Sequence, residues 1–241
     1  MELSLLENVI VELTEKISGA RITKIHQPAA DLFIFRLWNG SENLKLLLSA
    51  APGNSRLHLT EQNFANPFTP PRFCQLLRSR ISRILTISQL NHDRIVQFEC
   101  AGPKGLCRLL VELTGRSSNL VLVAEDGRII DALKRVQSNQ QRLIAAGQTY
   151  VLPERPQILE MQRKGPENAP PEEVSVSLAV EKLYAQSHGL KREKDVRGLI
   201  EDSLRKAQKK LQRRLKNIEQ EQANQQGYEQ CKQRGELILA N

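Results

Sequence analysis

The first seventeen residues place Leu3, Leu6, Ile10, Leu13 and Ile17 at three- and four-residue intervals, and Gly19 follows. That spacing gives a helix one apolar stripe, and the glycine ends it. The period then changes. Short runs at Arg21–Gln27, Leu32–Trp38, Leu44–Ser49 and Arg56–Thr60 predict strands, punctuated by Pro28, Asn39-Gly40 and Pro52-Gly53. A second helix is predicted from Pro70-Pro71 through Phe73, Leu76, Leu77 and Arg80, because proline is tolerated in a first helical turn whose N–H groups have no partner. Further strands are predicted at Ile84–Leu90, Arg94–Cys100, Arg108–Leu113 and Asn119–Ala124, and at Arg128–Leu133 after an Asp126-Gly127 turn. This order predicts an α+β domain with a mostly antiparallel sheet and few helices.

Between residues 153 and 173 the pattern lapses into Pro153, Pro156, Gly165, Pro166, Pro170 and Pro171 among mixed charges, the composition of a linker. The expected organisation is therefore a domain over 1–152, a Pro-rich linker over 153–174 and a helical arm over 175–241. In the arm, helices are predicted at Leu178–Gln186 and from Lys191 to about Gln226, separated by His188-Gly189. Leu204, Ala207, Leu211, Leu215 and Ile218 recur at helical spacing, while Arg205, Lys206, Lys209, Lys210, Arg213, Arg214 and Lys216 form a run without an acid. Two readings fit this segment: a basic helix that meets a polyanion, or the solvated face of a coiled-coil arm.

Charge sharpens the first reading. The chain of 241 residues has a formal net charge of +8. Residues 191–241 hold 13 Lys and Arg against 8 Asp and Glu. A polyanionic partner is the expectation. No run of apolar residues is long enough for a membrane span, and the N-terminus lacks the pattern of a signal peptide, so a cytoplasmic protein without a membrane partner is expected. Cys74, Cys100, Cys107 and Cys231 contain no C-x-x-C pair, which argues against a zinc site or a disulfide framework. His26, His58, His92 and His188 have no metal-binding spacing, and neither a P-loop nor a G-x-S-x-G elbow is present. Neither catalytic residues nor a cofactor are expected, and the reading is of a binding protein.

Several ordered segments carry a resemblance. They are Gly19-Ala20-Arg21-Ile22-Thr23-Lys24-Ile25-His26-Gln27-Pro28, Leu46 to Pro52, Ser55 to Thr60, Asn66-Pro67, and Pro70 to Arg78. Asp93-Arg94-Ile95, Val111 to Asn119, Ile130 to Lys134 and Gly235 to Asn241 complete them. Together the chain resembles the N-terminal (NFACT-N) part of the RqcH, NEMF and fibronectin-binding-protein-A-like family over about residues 10–152 and again from Ser175. The resemblance implies a fold similar to the N-terminal domain of formamidopyrimidine-DNA glycosylases, followed by the first arm of a central coiled coil. The family's helix-hairpin-helix region, second arm and C-terminal NFACT-R domain have no counterpart here, so a fragment or a shortened relative is expected.

The resemblance also implies ribosome-associated quality control: binding of the large ribosomal subunit obstructed by peptidyl-tRNA, and recruitment of tRNA, alanyl-tRNA in bacteria, for template-free C-terminal tailing. The family's Asp-Arg pair maps onto Asp93-Arg94. Arg94 would meet a phosphate or a base edge, while Asp93 orients it or accepts from a base amine. Arg116 and Arg56 are the further tRNA-binding candidates, and Lys209, Lys210, Arg213 and Arg214 are the candidates for rRNA. One departure is that Ser117 stands where the family often has histidine. The rivals are a non-tailing RNA-binding fragment and a fibronectin-binding-like surface protein. A glycosylase is rejected, because that reaction needs an N-terminal proline amine and Glu2 follows Met1 directly.

Overall fold

The computed structural model describes residues 1–136, 142–153 and 175–239. It contains α1 (Leu3–Ile17), β1 (Arg21–Ala29), β2 (Leu32–Trp38), β3 (Asn43–Ser49), β4 (Arg56–Leu59), α2 (Arg72–Arg80) and β5 (Arg83–Gln89). These are followed by β6 (Ile95–Gly102), β7 (Gly105–Glu112), β8 (Asn119–Ala124), β9 (Ile129–Ala132) and α3 (Val176–Leu239). All nine strands form one antiparallel sheet in the order β4-β3-β2-β1-β5-β6-β7-β8-β9. The expected α+β class is therefore observed, with each strand at or within two residues of its predicted bounds except β7, which starts three residues earlier than expected, at Gly105.

The sheet is two meanders joined at a narrow seam. β1 and β5 share a single register pair, Arg21 with Arg83, reinforced by Ile22 N–H to the Ser82 carbonyl at 2.7 Å and Ile84 N–H to the Ala20 carbonyl at 3.0 Å. Beyond the seam, Ile25 has no partner strand on its β5 side. The Nε of Arg78 on α2 donates to its carbonyl at 2.8 Å, with the Cys74 thiol at 3.6 Å. Satisfying that carbonyl from a helix removes an orphan that neither meander supplies. The same opening explains why β1 continues through Pro28, expected to end it: the register is already irregular between His26 and Ala29, and a proline needs no N–H partner there. α2 itself fits closely, since a Cβ on Gly102 at the end of β6 would lie 1.8 Å from the Arg80 carbonyl oxygen.

Alternation along the strands turns Phe33, Phe35 and Leu37 of β2, Leu46 and Leu48 of β3, and Val96 and Phe98 of β6 into one core with Leu6, Val9, Leu13 and Ile17 of α1. Phe33 meets Phe73 of α2 edge to face. Lys134, just past β9, ties the meanders together through the Ala50 carbonyl at 2.7 Å and Asp31 at 3.3 Å. A second apolar cluster lies on the other face of β7–β9, where Ile144 and Tyr150 cover Leu110, Val121 and Val123. There the buried Glu112 takes both guanidinium nitrogens of Arg142 and the Tyr150 hydroxyl.

The chain divides into two compact units, Met1–Tyr184 and Ala185–Asn241. The first turns of α3, expected to start the arm, thus belong to the first unit. α3 also runs without a break through His188-Gly189 and on to Leu239, past the end expected near Gln226. A single interior glycine costs a helix only about 1 kcal/mol, and Leu190, Lys191, Arg192 and Glu193 beside it are good helix formers. Of the proline-rich linker over 153–174, all but Pro153 lies outside the described residues.

Glu12 of α1 anchors those first turns. Its carboxylate accepts from Ser175 Oγ at 2.5 Å and from the N–H and Oγ of Ser177 at 2.8 Å each, while Lys16 approaches at 2.8 Å. Burial would push the Glu12 carboxyl up, but these donors outweigh it and hold it below the ordinary range. Because a depressed carboxyl stabilises the fold above its unfolded value, this contribution is full above about pH 4.5 and is lost as pH falls through the lower folded value. Glu12→Gln should therefore lower stability by about 2 kcal/mol at pH 7 and flatten the acid limb of the stability curve. Urea denaturation of both proteins at pH 7 and at pH 3 reads both effects, and equal midpoints at pH 7 would refute the anchor.

Candidate nucleic-acid interface

At one end of the sheet, β5 turns into β6 through Leu90–Asn91–His92–Asp93, closed by Asp93 N–H to the Leu90 carbonyl at 3.0 Å. Both central residues have positive φ, 52° at Asn91 and 47° at His92, as a type I′ hairpin turn requires. The turn fixes the backbone of the Asp-Arg pair. Gln89 Nε2 donates to the Asp93 carbonyl at 2.9 Å, and Leu113 N–H donates to the Arg94 carbonyl at 2.7 Å. Asp93 Oδ1 accepts from the Arg94 N–H at 2.7 Å. Asp93 therefore positions Arg94 through the main chain, and among the described residues the Arg94 guanidinium has no ion pair.

Tyr184 on α3 lies against Arg56 and within electrostatic reach of Arg94. Arg56 opens β4, and its guanidinium carbon lies 5.0 Å from the Tyr184 ring centroid. A cation over an aromatic face is attracted by the ring quadrupole. Burial pushes the Tyr184 hydroxyl up, while Arg56 and Arg94 act in the opposite direction. Two carbonyl contacts close the arrangement: Tyr184 Oη and the Met1 ammonium each donate to the Ser55 carbonyl at 3.4 Å. Of the two arginines, Arg94 is half-buried and Arg56 is 8% exposed, so they do different work. Arg56 donates from Nη1 to the Asn54 carbonyl at 3.1 Å and from Nε to His58 Nε2 at 3.3 Å.

That bond decides the state of His58. Since Nε2 accepts, the proton sits on Nδ1, which donates to the Leu59 carbonyl at 2.7 Å. Burial first, and then the Arg56 charge, hold the imidazole below its ordinary value despite that carbonyl, so His58 is a neutral structural residue. Arg116 differs from both other arginines. It is exposed on a 3-10 turn, Gly115–Ser117, that begins with Gly115 at φ 73° and follows Leu113, the residue bonded to Arg94. Asn119 beyond it is buried and staples β8 to Lys134 through both ends of its amide.

The remaining candidates lie on the arm. Lys209, Lys210, Arg213 and Arg214, with Lys206 and Asn217, line one continuous patch of α3. At roughly 100° per residue, Arg205, Lys209, Arg213 and Lys216 share one side of the helix, while Leu204, Leu211, Leu215 and Ile218 share the opposite side. Those four apolar side chains are at least half exposed. So the two readings of the arm describe two faces of one helix. What sequence reasoning missed is Tyr184 and the Glu12 anchor that delivers it. No local motif marks a helical tyrosine that becomes a platform through a contact made across the domain.

A family model described as NFACT N-terminal and middle domains matches residues 3–169. A Bacillus subtilis protein named Rqc2 homolog RqcH is 45% identical over 152 residues, covering 59% of this chain and 27% of that protein. Human ribosome quality control complex subunit NEMF is 27% identical over 131 residues, 54% of this chain and 12% of that protein. The chain thus spans about a quarter of the length of its bacterial relative. Among solved structures, the N-terminal domain of the fibronectin-binding protein PavA from Streptococcus pneumoniae matches with a TM-score of 0.59 and 30% identity, covering 64% of this chain and 62% of that one. The N-terminal part of the fibronectin/fibrinogen-binding protein from Streptococcus suis matches with a TM-score of 0.61 and 33% identity, covering 64% and 61%.

The different settings of the arginines predict different costs. Arg94→Ala should change stability by no more than about 0.5 kcal/mol. Arg56→Ala removes the donor to His58 Nε2 and one donor to the buried Asn54 carbonyl and should cost about 1–3 kcal/mol. Denaturation midpoints measured side by side check this, and equal costs would contradict the assignment.

Proposed function

The chain belongs to the NFACT N-terminal and middle domain family, and from that premise we propose that it is a ribosome-associated quality-control factor that binds RNA on the large ribosomal subunit. In this reading it engages subunits obstructed by peptidyl-tRNA and recruits tRNA, alanyl-tRNA in bacteria, for template-free tailing. It acts as a binding protein, and the chemistry of peptide transfer belongs to the ribosome. The observation that carries the reading is the half-buried Arg94, backbone-fixed and without an ion pair among the described residues, one loop from the exposed Arg116. Arg94 meets a tRNA phosphate or base edge, Asp93 holds its backbone, Arg116 supplies a second cation, and Arg56 supports Tyr184 from beneath.

The basic face of α3 meets rRNA through Lys209, Lys210, Arg213 and Arg214, and its apolar face pairs with a second helix as a coiled-coil arm. Lys209, Lys210 and Arg213 lie away from the apolar side of the helix, and Arg214 borders it, about 40° around the axis from Ile218. A fold of the glycosylase N-terminal type belongs to the same proposal. Because the chain spans 27% of the Bacillus relative, a second reading keeps RNA binding without tailing. No helix among the described residues is long and apolar enough to cross a membrane, and the setting proposed is the cytoplasm.

Co-sedimentation across a salt series with large subunits carrying peptidyl-tRNA, free subunits and whole ribosomes tests the reading. Preferential, salt-dependent capture of obstructed subunits is expected, and salt-insensitive behaviour without RNA affinity would reject it. Arg94→Ala should weaken tRNA association while the fold persists. Reversing the charges of Lys209, Lys210, Arg213 and Arg214 should weaken subunit binding and flatten its salt dependence.

A further inference from the structure

The strands β1 to β4 contain Arg21, Lys24, Arg36, Lys45 and Arg56 and no acidic residue. Four of these cations fall on the outer face of the sheet, opposite the core residues Ile22, Ile25, Phe35, Leu37 and Leu46. Their register sets like charges directly against each other. Arg21 pairs with Arg83 across the seam, Lys24 pairs with Arg36, and Arg36 pairs with Lys45. Directly opposed like charges destabilise a sheet, and among the described residues none of these five cations has an ion pair. Arg56 is committed to Asn54, His58 and Tyr184, and Lys45 is occupied by the carbonyls of Glu61 and Gln62 and by Asn63 Oδ1. Glu99, the acid on this face of β6, is engaged by Thr86 at 2.7 Å.

An aromatic ring stands at one end of this field. Trp38, the single tryptophan of the chain, is the register partner of Arg21, two residues along β2 from Arg36. It is 39% exposed and is the one exposed large apolar side chain of β1 to β3. Farther along the same face Ile34 and Leu47 are buried, so the open part is the end that holds Trp38 and the arginines. His26 borders it, held below its ordinary value by burial and by Arg36, Arg78 and Lys24. A flat sheet face with one exposed aromatic amid unpaired cations matches single-stranded nucleic acid, whose bases stack while its phosphates meet the charges. A membrane surface is a poorer fit, since one exposed ring gives little apolar area to insert.

We propose that the outer face of β1 and β2 is a second RNA-binding platform, on which Trp38 stacks a base of a single-stranded segment and Arg21, Lys24 and Arg36 hold the flanking phosphates. It is separate from the Arg94 end of the sheet. It rests on the proposed function only for the choice of RNA as the polyanion.

The single tryptophan makes the test local. A short single-stranded oligonucleotide of mixed sequence, titrated into the full chain, should quench Trp38 fluorescence saturably. The quench should persist when Lys209, Lys210, Arg213 and Arg214 are reversed. Measured by anisotropy of a labelled oligonucleotide, Trp38→Ala should weaken binding about tenfold, while Trp38→Phe retains most of it. Lys24→Gln with Arg36→Gln should reduce the slope of log affinity against log salt by about 1.4. RNA bound without quenching, with the slope unchanged in the double variant, would overturn the platform and leave ribosome binding standing. Quenching with no subunit capture would have the opposite meaning. A response of Trp38 to phosphatidylglycerol vesicles and none to RNA would replace the platform with a membrane contact.

Discussion

The contact between Glu12 and the start of α3 governs where the candidate interface forms. A carboxylate placed at a helix N-terminus answers N–H groups that have no partner within the helix and lies at the favourable end of the helix dipole. Here it receives two serines of that turn, and Ser177 Oγ also accepts from the Leu59 N–H of the edge strand β4 at 3.0 Å. One turn on, Thr60 Oγ1 donates to Glu181 at 2.6 Å. Two turns from Ser177, Tyr184 falls on the same side of the helix and reaches Arg56. A chain of polar contacts thus converts the docking of a helix into the position of an aromatic ring.

That docking also closes the edge of the sheet. β4 is terminal in the strand order, and its unpaired backbone groups would otherwise face solvent. The buried Arg56 and neutral His58 are consequences of the cover, because a guanidinium under a tyrosine ring and an imidazole with both nitrogens committed leave no titrating group on β4. The cations that remain free to meet a ligand are elsewhere: Arg94 and Arg116 at the strand ends, the row on the outer face of β1 and β2, and the acid-free run of α3. All are held by backbone geometry rather than by counter-ions. Unpaired positive charge on rigid elements is an arrangement that a polyanion relieves.

Much of the fold was legible in the sequence, and the misses have local causes. Strand bounds could be read because the strands are short apolar-rich runs set off by turn residues such as Asn39-Gly40 and Asp126-Gly127. β1 runs through Pro28 because the seam with β5 is one pair wide, a fact of strand order that no local pattern encodes. α3 passes through Gly189 because a glycine weakens a long helix without ending it. Of the site, Asp93-Arg94 was accessible only through the family resemblance, since a polar pair after a turn is ordinary by itself. Arg56 was read as a ligand-facing cation, yet its guanidinium is committed to Asn54, His58 and Tyr184.

By itself the sequence determined most of the elements, the excess of positive charge and the basic and apolar positions of the arm. These follow from periods of two and 3.6 residues and from composition, which are local properties. Only the tertiary structure decided which charges meet. Lys24 lies against Arg36, Arg21 lies against Arg83, and Arg56 meets the Tyr184 ring because of register, strand order and the docking of a helix more than a hundred residues away in sequence. Periodicity assigns a side chain to a face. Its neighbours on that face are chosen by the pairing that buries the shared core.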